Sequence, residues 1–482
     1  MITLQAKKHD SFSVELKFGF VSDGTEKIND FAVNTWLFLP NSMGISSETY
    51  GKDQFYRDIK SNVRLITPAF SLGELSRSTS LPLSHLKDSL LSLSADGSAA
   101  ESFEYHLKMF AAIFKSALRD STNRLHGCRD RSELDGACRN YCSLVGSILD
   151  EYRSLYPLTE KIPEQQRHHF AAVDEYLSHI VDVKALRVVK DIDGKGDPSL
   201  ADTRQAVVGF IFREKQYASG RGFEAISGEP AHDRELVYYH SIQKKYIESD
   251  LYIRLNKRKD GVAVQQLYYS IAAGVAMIFA TAVGWATQVK FGNITGPLFV
   301  VLVVSYMMKD RIKDLMRYWF AHKLVNKYFD KKADITIGSR RVGKIKEAVD
   351  FVSGSKIPRE VMEIREKNAA VDDESHIFEE KVLLYRKHLV LDRNSLQTGN
   401  EYPLRGINEI MRLHLNRFMQ KMDNPEVPVS VMDGDGSIST LRVQRAYCIN
   451  IVFQLRHLEQ TEYRHLRVVL NRSGIIRVEE VA

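Results

Sequence analysis

Between Gly261 and Met308 the mixing of polar and apolar positions seen elsewhere in the chain stops. This stretch holds no Asp, Glu or Arg and one lysine, Lys290, which divides it into apolar runs of 29 and 18 residues. A helix of roughly 20 apolar residues crosses the ~30 Å hydrocarbon layer of a bilayer. Leu267 to Ala286 (LYYSIAAGVAMIFATAVGWA) meets that length, whereas Pro297 to Met308 (PLFVVLVVSYMM) reaches it only with help from Phe291 to Gly296 and the helix that follows. The pattern predicts a transmembrane hairpin of two helices over 261–308, with a re-entrant second segment as the alternative.

Outside that stretch the periodicities are those of water-soluble domains. SFSVELKFGF alternates Phe12, Val14, Leu16, Phe18 and Phe20 with polar neighbours, the period of a half-buried strand, and FAVNTWLFLP and VRLITPAF read as two more. Residues 1–95 are therefore expected to form a β-rich domain. Helical spacing takes over in SFEYHLKMFAAIFKSALRD and continues to ELVYYHSIQKKYIESDLYIRL, which predicts a helical domain over 96–260. Residues 309–400 are expected to be a basic juxtamembrane helical region. The segment 401–482 reads as α+β, with a helix in GINEIMRLHLNRFMQKM and then strands joined by turns at Asp433–Gly436 and Asn471–Gly474. The expected class is a membrane protein of α+β type with its hairpin between two soluble parts.

Charge sets the orientation. Lys257, Arg258 and Lys259 precede the first run, Lys309, Arg311, Lys313 and Arg317 follow the second, and only Lys290 lies between. Cationic flanks stay on the cytoplasmic side, so both termini are expected in the cytoplasm and the connector around Gln288 to Thr295 outside. Tyr268, Tyr269 and Tyr306 would mark the inner interface, Trp285 and Phe291 the outer one. No signal peptide is read at the N-terminus.

The first predicted span has two distinct faces. Ala272, Ala276, Ala280 and Gly284 recur every fourth residue and suit close packing with another helix. Ser270, Gly274, Met277, Thr281 and Gln288 fall within about 60° of one another and form a more polar stripe. That stripe reads either as a pore lining or as hydroxyls bonded to their own helix with Gln288 at the interface. Two helices cannot enclose water, so a pore requires a homo-oligomer.

The chain as a whole carries 67 Lys and Arg against 61 Asp and Glu, a net of +6, yet Lys309 to Lys346 alone holds twelve basic residues and four Asp, a net of +8. Lys331, Lys332, Arg340, Arg341, Lys344 and Lys346 are the candidate site for an anionic partner. Membrane lipid headgroups are the first reading and a nucleotide or nucleic acid the second. His168, His169, Glu164, Glu175 and His179 read better as a solvated helix face than as a metal site, because no matching second cluster is visible. His126 with Cys128, Cys138 and Cys142 reads as hairpin core. Asp433 and Asp435 read as a turn, since the rest of a calcium loop is missing. Four cysteines without ligand spacing indicate neither a disulfide framework nor zinc. No hydrolase, kinase or phosphate-loop pattern is present, so no enzyme activity, metal or cofactor is expected.

The segments IAAGVAMIFATAVGWATQ, FGNITGP and SYMMKDRIKDLMRYWF, with FLPNSMGI and DQFYRDIKSNVRLITP upstream, resemble a family of uncharacterised bacterial two-span inner-membrane proteins. In layout the chain is similar to the membrane effectors of Hailong-type anti-phage defence systems. The resemblance implies a pore held closed or opened by cytoplasmic domains in response to a nucleotide or single-stranded DNA oligomer. The expectation is thus a ligand-regulated oligomeric pore in the bacterial inner membrane. Its alternative is a membrane-anchored binding or scaffold protein that conducts nothing.

Overall fold

The computed structural model describes residues 1–95, 99–128, 130–291, 296–325, 329–338, 340–366 and 380–481. Three strands open the chain, β1 (Ile2–Asp10), β2 (Ser13–Val21) and β3 (Ile28–Leu39), before α1 (Lys52–Asp58) and β4 (Ile59–Leu65). Eight helices follow: α2 (Leu72–Leu75), α3 (Leu81–Ala95), α4 (Ala100–Gly127), α5 (Arg131–Arg153), α6 (Tyr156–Thr159), α7 (Glu164–Gly194), α8 (Ala201–Gly220) and α9 (Pro230–Ile247). The short strands β5 (Tyr252–Ile253) and β6 (Arg258–Lys259) lead into α10 (Val262–Phe291) and α11 (Gly296–Val325). Beyond them come β7 (Lys331–Ile337), β8 (Arg340–Val352), α12 (Arg359–Glu366), β9 (Lys381–Asp392), β10 (Gly406–His414), β11 (Glu426–Met432), β12 (Ile438–Gln444), β13 (Tyr447–His457), β14 (Gln460–Asn471) and β15 (Gly474–Val481). The chain is α+β.

It divides into two units rather than five consecutive segments. One comprises Met1–Val63, Ile253–Asn400 and Arg405–Ala482, the other Arg64–Tyr252 and Glu401–Leu404. Residues 1–95 are therefore not a β domain of their own. Their strands pair with the far end of the chain: β2 runs antiparallel to β10, and β3 lies between β13 and β9. Pairing across some 400 residues leaves no local trace in sequence.

The first unit holds two large sheets, one ordered β1–β2–β10–β4–β5 and one ordered β15–β14–β13–β3–β9–β8–β7–β6, and the two-stranded β11–β12 hairpin. Phe18 meets Phe453 edge-on at 6.1 Å, and Phe20 meets Phe31 at 5.5 Å, so the sheets face one another through aromatic rings. Burial of such side chains is the main attraction, on the order of 1.5–3 kcal/mol each. The outer face of the larger sheet is covered in part by α12, where Trp36, Phe38, Val382 and Val452 close around Val361.

Charge is buried within this apolar layer. Lys387 on β9 is 2% exposed and bonds Glu409 on β10, which is fully buried and also accepts the Ser61 hydroxyl at 2.5 Å. Glu347 on β8, also 2% exposed, lies 3.5 Å from Lys387 and takes both hydrogen bonds of Lys257 at 2.9 Å. Burial alone would raise the Glu347 carboxyl, but Lys387 and Lys257 outweigh it and hold it below the ordinary carboxylate range.

These inward charges account for two departures from expectation. Residues 309–400 are not a helical region throughout, because β7, β8 and β9 form three adjacent strands of the larger sheet. Likewise 406–414 is a strand, not a helix: Ile407, Glu409, Met411 and Leu413 point inward. A glutamate or lysine at an inward position breaks the period of two and leaves a pattern that mimics helical spacing.

The second unit is a helical bundle. Phe110 on α4 stacks on Tyr152 of α5 at 5.5 Å, and Tyr152 stacks on Phe170 of α7 at 4.4 Å. Asp174, fully buried on α7, accepts hydrogen bonds from Arg153 (3.3 Å), Tyr156 (2.9 Å) and Tyr217 (2.7 Å) and so ties α5, α6, α7 and α8 together. Cys138 and Cys142 are free thiols packed in this bundle, both pushed up to about 11 by burial.

Removing one member of a buried ion cluster leaves its partner charged and desolvated, at a cost of about 3–5 kcal/mol. Lys387→Met should therefore lower the urea midpoint of the β unit by that equivalent, and Lys387→Met with Glu409→Leu should recover part of it. Equal midpoints for wild type and the single variant would contradict the reading.

Candidate functional site

The apolar stretch folds as two long helices packed antiparallel. Ser305 Oγ donates to Ala280 O at 3.4 Å, a Cβ at Gly284 would stand 3.4 Å from Leu302, and the Tyr268 and Phe320 rings lie 4.8 Å apart. Of the helices described, α10 is long and apolar enough to cross a membrane over Val262–Lys290, and only 11% of its most apolar window is buried. A core helix of a water-soluble domain would be mostly buried.

The four small residues sit on the α11 side, as their spacing predicts. Ala272 and Ala276 are buried, Ala280 supplies its carbonyl to Ser305, and Gly284 meets Leu302. Ser270, Gly274, Met277, Thr281 and Gln288 are all exposed, so none of the polar stripe is spent on packing against α11. Ser270 Oγ bonds Gln266 O of its own helix at 2.9 Å. Trp285 and Tyr306 are exposed, while Tyr268 and Tyr269 are half-buried beside α11. The Phe291 side chain and the connector residues 292–295 lie outside the described residues.

The second run departs from expectation. Pro297 to Met308 forms only the first part of α11, and the helix continues through Lys309, Asp310, Arg311, Lys313, Asp314 and Arg317 without a break. Arg317 lies 5.4 Å over the Tyr269 ring. Together with the Ser305–Ala280 bond, this register sets residues 309–317 beside 269–277 of α10. The cations expected beneath the membrane are thus level with the first half of the apolar helix.

The foot of α10 is fastened to a sheet edge whose strand β7 follows α11 in the chain. Arg258 pairs with Lys332 and Lys259 with Lys331 in the β6–β7 ladder, and Asp260 N donates to Asp330 O at 3.3 Å. Gly261 then takes a φ of +73°, a conformation that suits glycine, and turns the chain into α10. Asp260, largely buried, pairs with Lys332 at 3.2 Å and Lys346 at 3.1 Å. Burial would raise its carboxyl, but the two lysines hold it below the usual range. Asp330 is held by Lys52 (2.8 Å), Tyr56 (3.2 Å) and the Val349 amide (2.8 Å). A cavity of about 340 Å³ lies beside Lys52, lined also by Tyr50, Phe55, Val349, Asp350 and Leu383.

The basic residues proposed for an anionic partner belong to this edge and are largely engaged within the protein. Besides Lys332 and Lys346, Lys331 lies 3.9 Å over the Tyr56 ring, Arg341 pairs with Asp334 at 2.8 Å, and Arg340 donates to Ser395 O at 3.4 Å. Lys344 faces Asp334 across the ladder. Ser339, within the same stretch, lies outside the described residues. The histidines of α7 are dispersed: His168 is paired with Glu164 at 3.5 Å, His169 with Glu104 at 3.2 Å, and His179 stacks on His240 at 3.6 Å. Asp433 and Asp435 close the β11–β12 turn, with Asp435 accepting from Ser437.

Sequence reasoning missed one cluster in the helical unit. His85 on α3, His106 on α4 and Glu401 bring their donor atoms within 4.8 Å of one another. Three residues separated by 21 and 295 positions form no motif, so only the fold reveals them. No family model, curated protein or solved structure matches this chain.

Two measurements test this geometry. Asp260→Ala leaves Lys332 and Lys346 facing one another without their shared acid and should destabilise the β unit by about 1–3 kcal/mol, read from denaturant midpoints. His179 is pushed down to about 4 by burial and by His240, against about 6.5 when unfolded. The unfolded chain then binds the extra proton, so stability is complete above about pH 6.5 and falls as pH drops towards 4. Melting profiles across that window should show this acid limb, and His179→Gln should make it shallower.

Proposed function

We propose that this chain is a membrane-embedded effector in which α10 and α11 form a two-span hairpin and several copies assemble into a regulated pore. The observation that carries the reading is the exposed apolar helix Val262–Lys290 whose polar stripe is not packed against α11. Ile271, Val275, Ile278, Trp285 and Val289 are all exposed. In water each would forgo roughly 1.5–3 kcal/mol of burial, whereas lipid satisfies them all.

The polarity of the two helices favours an assembly. At 100° per residue, Asp310, Asp314 and Arg317 group on one side of α11, and the antiparallel register places them on the same side of the pair as Ser270 and Met277. Lipid does not tolerate such charges, which face protein or water when they lie within a bilayer. A ring of hairpins would turn this side towards a wet centre and the apolar side outwards. The β unit, fastened to the foot of α10, is the element through which a cytoplasmic signal would act. By the sequence resemblance, the setting is the bacterial inner membrane with both termini cytoplasmic, the context anti-phage defence, and the trigger a nucleotide or single-stranded DNA oligomer.

The second reading is a membrane-anchored scaffold, favoured by the bond of Ser270 to its own helix. Purified protein in liposomes should pass ions once triggered, with Thr281→Leu and Gln288→Leu cutting the flux and Asp310→Asn with Asp314→Asn changing the ion preference. Absence of conductance with every candidate trigger, together with full activity in cells after exchange of the hairpin for an unrelated one, would establish the scaffold instead.

A further inference from the structure

The His85, His106 and Glu401 cluster is built as a ligand set. His106 Nε2 lies 2.8 Å from Glu401 Oε2, and His85 Nδ1 lies 3.7 Å from the same oxygen. The buried His85 Nδ1 makes no hydrogen bond. The other ring nitrogen of His106, Nδ1, lies 2.9 Å from the Tyr402 hydroxyl. That contact suits a proton on Nδ1 donated to the Tyr402 oxygen, leaving the Nε2 lone pair directed at the centre of the cluster. A metal-bound imidazole characteristically has such an outer partner, which fixes its tautomer and ring orientation.

The surroundings are those of a floor and a mouth. His106 and Tyr402 are buried, and the two histidine rings meet edge-on at 5.3 Å. Glu401 is 55% exposed, so solvent reaches the third donor. We propose that His85, His106 and Glu401 form a binding site for one divalent transition-metal ion of the zinc class. Two imidazoles and a carboxylate suit zinc, cobalt or nickel, whereas calcium and magnesium prefer oxygen alone. Three protein ligands leave a fourth position for water. Bound metal would join α3 and α4 to residues 401–404, the short return of the chain into the helical unit.

The test uses the full chain in detergent, stripped with a chelator and titrated with Co²⁺. The expected result is a visible tetrahedral cobalt spectrum saturating at one equivalent and displaced by Zn²⁺. His85→Gln and Glu401→Gln should each weaken binding at least 10–100-fold, and Tyr402→Phe about 10-fold. Zn²⁺ should also raise the melting temperature of wild type but not of Glu401→Gln, whose exposed side chain can be changed without disturbing the core. A wild-type protein with no cobalt spectrum, or variants that bind as wild type does, would overturn the proposal and leave a plain histidine–carboxylate ion pair.

Discussion

The β unit is organised around a line of charges that lies where a hydrophobic core is expected. Glu409 and Lys387 join the two sheets, Lys387 passes the interaction to Glu347, and Glu347 holds Lys257, one residue before the strand that leads to α10. Buried ion pairs contribute little net stability over an apolar core, but once formed they are costly to break singly. Their value here is registry: a slipped stacking of the sheets or a displaced Lys257 would leave buried charges unpaired. The geometry at the base of the helix pair is inherited from the interior of the sandwich.

The same line of charges explains what was legible in sequence. Strands β2 and β3 carry apolar residues at nearly every inward position and were readable, as were the β11–β12 turn and the long helices α4, α5 and α7. Strands β8, β9 and β10 each carry Glu347, Lys387 or Glu409 inward, and there the periodicity misleads. Partner choice between strands was not readable, because β3 bonds to strands about 350 and 420 residues away.

The candidate sites divide in the same way. The small-residue seam of α10 was legible because its ligand is another helix and its spacing is local. The basic block was visible as a sum of charge, but the sum could not reveal that Asp260 and Asp334, on or beside the same strands, already neutralise much of it. The depth of Lys309 to Arg317 against α10 depends on helix register, which one Ser305–Ala280 hydrogen bond helps to set. The histidine pair with Glu401 is a product of tertiary structure alone.

The ladder joining residues 258–259 to 331–332 constrains how the helix pair can move. Sliding α10 along its own axis would first require breaking that ladder and the Asp260 bridge. Swinging it about the Gly261 joint breaks neither. Twisting of the sheet edge would therefore be converted into tilt of α10, with no piston stroke along its length.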